Sequence, residues 1–202
     1  MHIAEGVLPA PVLAAGYVLA ASGIAVGLRR LDDDRIVQSA VLSAAFFAAS
    51  LAHIPLGPVS IHLVLNGLMG LILGWAAFPA IFVALLLQAA LFGVGGLTAL
   101  GVNTVIMGAP AVCCHYVLRP WLVHGARSFV VGAAAGATGI GLGALILAFT
   151  ISLAGEGFAT VGRYVFLGYL PLVGVEAAVT GSAVAFLAKA KSKWLEMAPN
   201  HV

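Results

Sequence analysis

Two places far apart in this chain carry nitrogen donors where little else is polar. The chain opens MHIAEGVLP, with a histidine directly behind the N-terminal methionine. The α-amine of Met1 is one nitrogen donor. The amide of His2, once deprotonated, is a second and closes a five-membered ring with the first. Nδ1 of the His2 imidazole is a third and closes a six-membered ring. Three nitrogens in one plane leave a fourth position that a second histidine could fill. Planar nitrogen coordination favours Ni(II) or Cu(II) over zinc, which prefers a tetrahedron, and over hard oxygen-seeking ions. The arrangement needs a free amine at residue 1, and the bulk of His2 argues against removal of the methionine. The plain alternative is a surface histidine near a loose terminus.

The second place is LGPVSIHLVLNGLMG, where His62 lies between Ser60 and Asn66 in an apolar stretch. A metal-binding side chain in such a segment is a functional candidate by default. Read as helix, His62 and Asn66 stand at i and i+4 on one face. Pro55 and Pro58 break the chain just before it, at the depth an inward-dipping N-terminus would reach. The competing reading is a core histidine hydrogen-bonded to a carbonyl. His53 precedes the break with nothing to orient it. His115, His124 and His201 fall on the opposite side or in the tail and receive no metal role.

The elements that must position these donors lie in a membrane. The chain is 62% hydrophobic and only 8% charged over 202 residues, with a mean hydropathy of +1.14. A soluble domain carries about a quarter of its residues charged. Lipid cannot hydrogen-bond exposed backbone, and long Ala-, Leu- and Gly-rich runs without strict alternation argue for helices rather than a barrel. The expected fold is an all-α integral membrane protein of about seven transmembrane helices, at roughly 8–28, 36–54, 60–75, 79–94, 100–119, 128–154 and 164–188, forming one domain over 1–202. The third to fifth are shorter than the roughly 20 residues of a full crossing.

Seven crossings with the N-terminus outside put RRLDDDR (29–35), RPWLVHGAR (119–127) and KAKSK (189–193) on the cytoplasmic side. Eight of the nine basic residues are then inside and Arg163 alone is outside, as the positive-inside rule requires. The C-terminus is then cytoplasmic. A cleaved signal peptide is not expected, because Glu5 precedes the first apolar run and Arg29 and Arg30 follow it. Cys113 and Cys114 are neighbours whose side chains diverge on a helix, a poor metal pair, and read as small core residues.

No GxxxxGK[ST] loop is present, so the chain cannot use ATP by that route alone, and no HExxH or comparable hydrolytic motif appears; an intramembrane metal-dependent enzyme and a passive metal channel are the alternative readings. A passive channel would need a polar pore, whereas polar side chains gather at one end. An intramembrane metalloenzyme would keep a coordination position open. Nothing points to nucleic acid. The small-residue stripes at Gly70–Gly74 and Gly132–Gly136 allow close helix contacts, internally or with another subunit.

Taken together, these motifs resemble a known family. MHIAEGVLP resembles the MHI-x-(D/E)-G-x-L opening of the cobalt- and nickel-specific CbiM/NikM family, the substrate-binding (S) components of energy-coupling factor (ECF) ABC transporters. GPVSIHLVLNG resembles its segment carrying a ligand histidine, although many members have a smaller Gly/Ser/Thr-rich run there. FGVGGLTALGVNTVIMG is similar to its GGLT-x-LG-x-N-x-x-x-M signature, and VGVEAAVTG to its GxxEAxIT segment. The resemblance implies that Met1, His2 and His62 bind Co2+ or Ni2+ as transported substrate, with no permanent cofactor. It also implies a transmembrane coupling subunit and separate ATP-binding subunits as partners, with room for a small accessory membrane subunit, in the cell membrane. The donors leave cobalt and nickel undecided, though planarity leans toward nickel.

The remaining motif residues have physical roles to fill around such a site. Gly95 and Gly96 let an outer loop fold tightly, and Thr98 can bond exposed backbone. Asn103 is placed to hold the inserted terminus or a ligand imidazole. Gln88 could do the same or pack helices. Glu5 could neutralise the chelate, draw cations to the mouth, or simply be solvated. Ser60 and Asn66 flank His62. Glu176, in the last helix, must face a partner, and an internal hydrogen-bond network is expected rather than direct ligation.

Overall fold

The computed structural model describes residues 1–51, 53–56, 59–123, 127–155, 157–190 and 193–196, by backbone alone at 34, 53–56, 59–61, 123, 159, 193 and 196. His124 and His201 lie outside the described residues, as do the side chains of His53 and Ser60.

Helices dominate. They are α1 (Ala10–Arg29), α2 (Asp33–Leu51), α3 (Asn66–Leu73), α4 (Ala77–Phe92), α5 (Leu100–Val123), α6 (Ser128–Ser152), α7 (Phe158–Lys189) and the short α8 (Lys193–Glu196). Five helical stretches are long and apolar enough to cross a membrane: Ala10–Arg29, Asn66–Phe92, Leu100–Leu122, Ser128–Ser152 and Thr160–Lys189, with Arg35–Leu51 a shorter apolar one.

The stretch Asn66–Phe92 is not one straight rod. Gly74 ends α3 with φ +57 and ψ −124, a conformation that L side chains avoid, and a 3-10 turn, Gly74–Ala76, leads into α4. Gly70 lies against the Ala111 carbonyl and Gly74 against the His115 ring, so α3 runs in the direction of α5. Ser43 donates to the Ala80 carbonyl and Gln88 to Ser50, so α4 runs with α2. The chain therefore turns back at Gly74. α1, α3, α5 and α7 point one way; α2, α4 and α6 point the other. Eight residues of α3 span about 12 Å, half a hydrocarbon core.

The other half of that third leg is a correction to the helix expected over 60–75. Residues 59–62 are strand. β1 (His2–Ile3), β2 (His53–Leu56) and β3 (Val59–His62) form a three-stranded antiparallel sheet in the order β1-β3-β2. Its register pairs His2 with Ser60, Ile3 with Val59, and His53 with His62. Pro55 cannot continue a helix and pushes Ile54 to extended backbone, while Val59 and Ile61 are β-branched. Pro55 sits on the edge strand, where its missing N–H is harmless. With a strand ending at His62 and α3 starting at Asn66, the two do not share a helical face.

The core between the legs is closely packed. Gly132 lies against Thr180 and Val184, and Gly136 against the Glu176 carbonyl, so both small-residue stripes face inward. Arg29, Arg30 and Arg35 lie at the α1–α2 end, and Arg119, at the same end, donates to the carbonyls of Leu71 and Ile72 at the C-terminus of α3. Arg163, near the start of α7, is at the other end.

Candidate metal-binding site

The site is assembled by the sheet. Strand β1 runs along β3, which carries the N-terminus into the bundle beside His62. Met1, His2 and His62 are all buried. The Met1 side chain seats its sulfur against Gly143 of α6 and near the Ile106 carbonyl of α5, so it acts as a plug between those helices. Burial drives the Met1 amine well below its ordinary pKa, partly opposed by the charge of Glu176.

The nitrogens converge on one atom. His62 Nε2 faces the Met1 amine, and it lies 3.0 Å from His2 Nδ1. The two rings are tilted, with centroids 4.6 Å apart. His62 Nδ1 is 2.8 Å from the Leu63 carbonyl, which can only accept, so the proton sits on Nδ1 and Nε2 presents a lone pair. Phe46 meets the His62 ring edge-on at 6.5 Å. In a planar chelate ordered amine, amide, imidazole, the fourth donor must lie between the amine and the imidazole. With metal–nitrogen bonds of about 2.0 Å, adjacent donors in a square are about 2.8 Å apart. His62 Nε2 neighbours both the amine and the imidazole, and its 3.0 Å separation from His2 Nδ1 is close to that spacing.

The terminus is clamped on its other edge. The Ile3 N–H donates to Asn103 Oδ1 at 2.8 Å, and Asn103 Nδ2 donates to the Ile3 carbonyl at 3.1 Å. The loop between α4 and α5 closes over the site from the end where the N-terminus lies. Gly95 and Gly96 have φ near +80 and +73, and a side chain on either would strike His2 or Glu5 respectively. Glu5 accepts from the Thr98 N–H at 3.1 Å, and the Tyr17 hydroxyl donates to the Leu97 carbonyl. Glu5 thus joins the N-terminal segment to the loop.

Two other sequence candidates fall outside this group. Gln88 donates to Ser50 and ties α4 to α2. Asn66 donates to the Gly139 carbonyl at 3.0 Å and ties the start of α3 to α6. Ser60 takes its place opposite His2 through its backbone. The partner of Glu176 is the chain just after His62: its carboxyl accepts from the N–H groups of Val64 and Leu65. Tyr17, Phe46, and the seat for the Met1 side chain carried no sequence signal, because each depends on helices meeting in space. Among the described residues no group of three or more His, Cys, Asp or Glu stands together. The Met1 amine is a main-chain group, which a count of side chains passes over.

The profile of a family described as the cobalt uptake substrate-specific transmembrane region, CbiM, matches residues 2–194. The chain belongs to the CbiM family. A Haemophilus influenzae protein named for metal transport is 41% identical over 194 residues, covering 94% of each chain. The cobalt transport protein CbiM of Sorangium cellulosum is 34% identical, covering 93% of this chain and 91% of its own. The fused nickel transport protein NikMN of Rhodobacter capsulatus is 32% identical over 73% of this chain and 46% of its own length. A crystal structure of a truncated transition metal transporter superposes with a TM-score of 0.85 at 26% identity, covering 94% of this chain and 99% of that one. As a CbiM-family protein, this chain belongs to a family of cobalt/nickel transport components and is a multi-pass membrane protein, not an enzyme.

Proposed function

We propose that this CbiM-family chain is the substrate-capture component of an ECF-type importer, and that it takes Co2+ or Ni2+ from outside the cell as a four-nitrogen chelate. The donors are the Met1 amine, the His2 amide and Nδ1, and His62 Nε2. The observation that carries this reading is the convergence of the Met1 amine and His2 Nδ1 on His62 Nε2, whose ring carries its proton on Nδ1 against the Leu63 carbonyl. The ion sheds its water, is held beneath the Gly95–Gly96 loop, and is released inward when the component is reoriented. The chain carries no P-loop of its own, so uphill uptake draws on a transmembrane coupling subunit and separate ATP-binding subunits, with a small accessory membrane subunit accommodated as well.

The chelate requires a free amine at Met1, and that is where it is tested. One residue added ahead of Met1, or acetylation of the amine, removes a donor and leaves the helices untouched. Metal accumulation in cells carrying the full transporter is expected to fall to background, while the purified variant keeps its melting temperature and elution profile. Undiminished accumulation by a variant shown by mass spectrometry to retain the extra residue would remove the amine from the donor set.

A further inference from the structure

Glu176 lies beside the segment that follows His62. It sits mid-way along α7, fully buried. Its carboxyl oxygens accept from two successive backbone N–H groups, Val64 and Leu65, the latter at 3.0 and 3.2 Å. Successive N–H groups turned toward one side make a nest for an acceptor of this kind. Leu65 is the one non-glycine residue with positive φ among the described residues, at +56. A γ-branched side chain adopts that conformation only when its surroundings hold it there.

The strained turn lies between His62 and α3. Leu63, whose carbonyl fixes the His62 ring, is the residue immediately before the nest. The strand–turn–helix join therefore hangs on the carboxyl of a helix more than a hundred residues away in sequence. On the reading of the site given above, we infer that Glu176 is the positioning residue for His62: by holding Val64 and Leu65 it sets the Leu63 carbonyl, and so aims Nε2 at the amine and at His2. It is not itself a ligand.

The test uses the full-length protein purified in detergent, with Ni(II) as the probe and the d–d absorption band as readout. The His62→Ala variant defines the signal of three protein nitrogens with water in the fourth place. Glu176→Gln keeps one acceptor oxygen but presents an N–H donor toward the nest. The expected result is a band shifted toward that of His62→Ala and an affinity about 10–100-fold weaker, the usual effect of losing a group that orients a ligand. Glu176→Asp, which withdraws the carboxyl by one methylene, should fall between if Glu176→Gln does not fold. Leu65→Gly in the Glu176→Gln background should move the band part-way back, since glycine adopts the turn unaided. A wild-type band and affinity in Glu176→Gln or Glu176→Asp, with His62→Ala shifted, overturns the inference alone. A wild-type band in His62→Ala overturns the chelate itself.

Discussion

Three nitrogens from two consecutive residues chelate well only if the chain bearing them is held in one conformation. An unanchored terminus would have to be ordered at the moment of binding, at an entropic cost of about 1–2 kcal/mol per residue. For the proposed chelate, Asn103 would remove this cost beforehand. It bonds both the N–H and the carbonyl of Ile3, so the backbone next to the donors is fixed in register and depth. Asn103→Ala leaves those two buried groups without partners, each worth about 1–3 kcal/mol when unsatisfied. The expected outcome is Ni(II) affinity weakened by about 10–100-fold with the helical content retained. Isothermal titration beside circular dichroism checks it. Unchanged affinity would mean that β1 is held by its pairing with β3 alone. Asn103 was readable in the sequence, since an amide in an apolar run needs a partner. Which of its two candidate partners it takes, the inserted terminus at Ile3 and not an imidazole, stays open in the sequence, because a hundred residues separate them.

At the level of elements, the sheet and the seams between helices do work that sequence pattern only half discloses. Helices α1, α2 and α4 to α7 follow from apolar runs, and their ends from Pro9, Gly93 and the charged loops. The hairpin at 53–62 was hidden because its letters are as apolar as a helix. Two prolines and the β-branched Val59 and Ile61 carry the signal, and they decide the outcome only once β1 is there to complete the ladder. The seat for Met1 was less legible still. It exists because α5 and α6 approach closely at Gly143, where an added Cβ would lie 2.7 Å from the Met1 sulfur. Gly143→Val should evict that side chain and pull the amine away from His62. Overpacking of this kind costs about 1–3 kcal/mol, so the variant should still fold, while metal uptake drops sharply. Gly141→Val, two residues along the same helix, points into open space and should take up metal as the parent does. Equal uptake by the two variants would deny the methionine side chain any part in setting the site.

At the level of the whole molecule, the turn at Gly74 decides which way every later segment faces. Were Asn66–Phe92 one continuous crossing, the α4–α5 loop would sit at the end opposite the N-terminus, and Arg119 would move to the outer side. The turn avoids both. It brings α4 back beside α2, returns the Gly95–Gly96 loop to His2 and Glu5, and gathers Arg29, Arg30, Arg35 and Arg119 at one end, which the positive-inside rule assigns to the cytoplasm. Site and topology are thus one problem, because the loop covers the donors only if the chain reverses within the third leg. Cysteine labelling in intact cells separates the two layouts. In a Cys113→Ala/Cys114→Ala background, Leu97→Cys and Leu153→Cys should react with a membrane-impermeant maleimide added outside. Asp33→Cys should react only after the membrane is permeabilised. All three positions are exposed on the protein, so access from the two sides is what the reagent reads. Protection of Leu97→Cys and Leu153→Cys until permeabilisation would mean that the chain passes straight through at Gly74. The loop, and the metal entrance with it, would then open on the wrong side of the membrane for uptake.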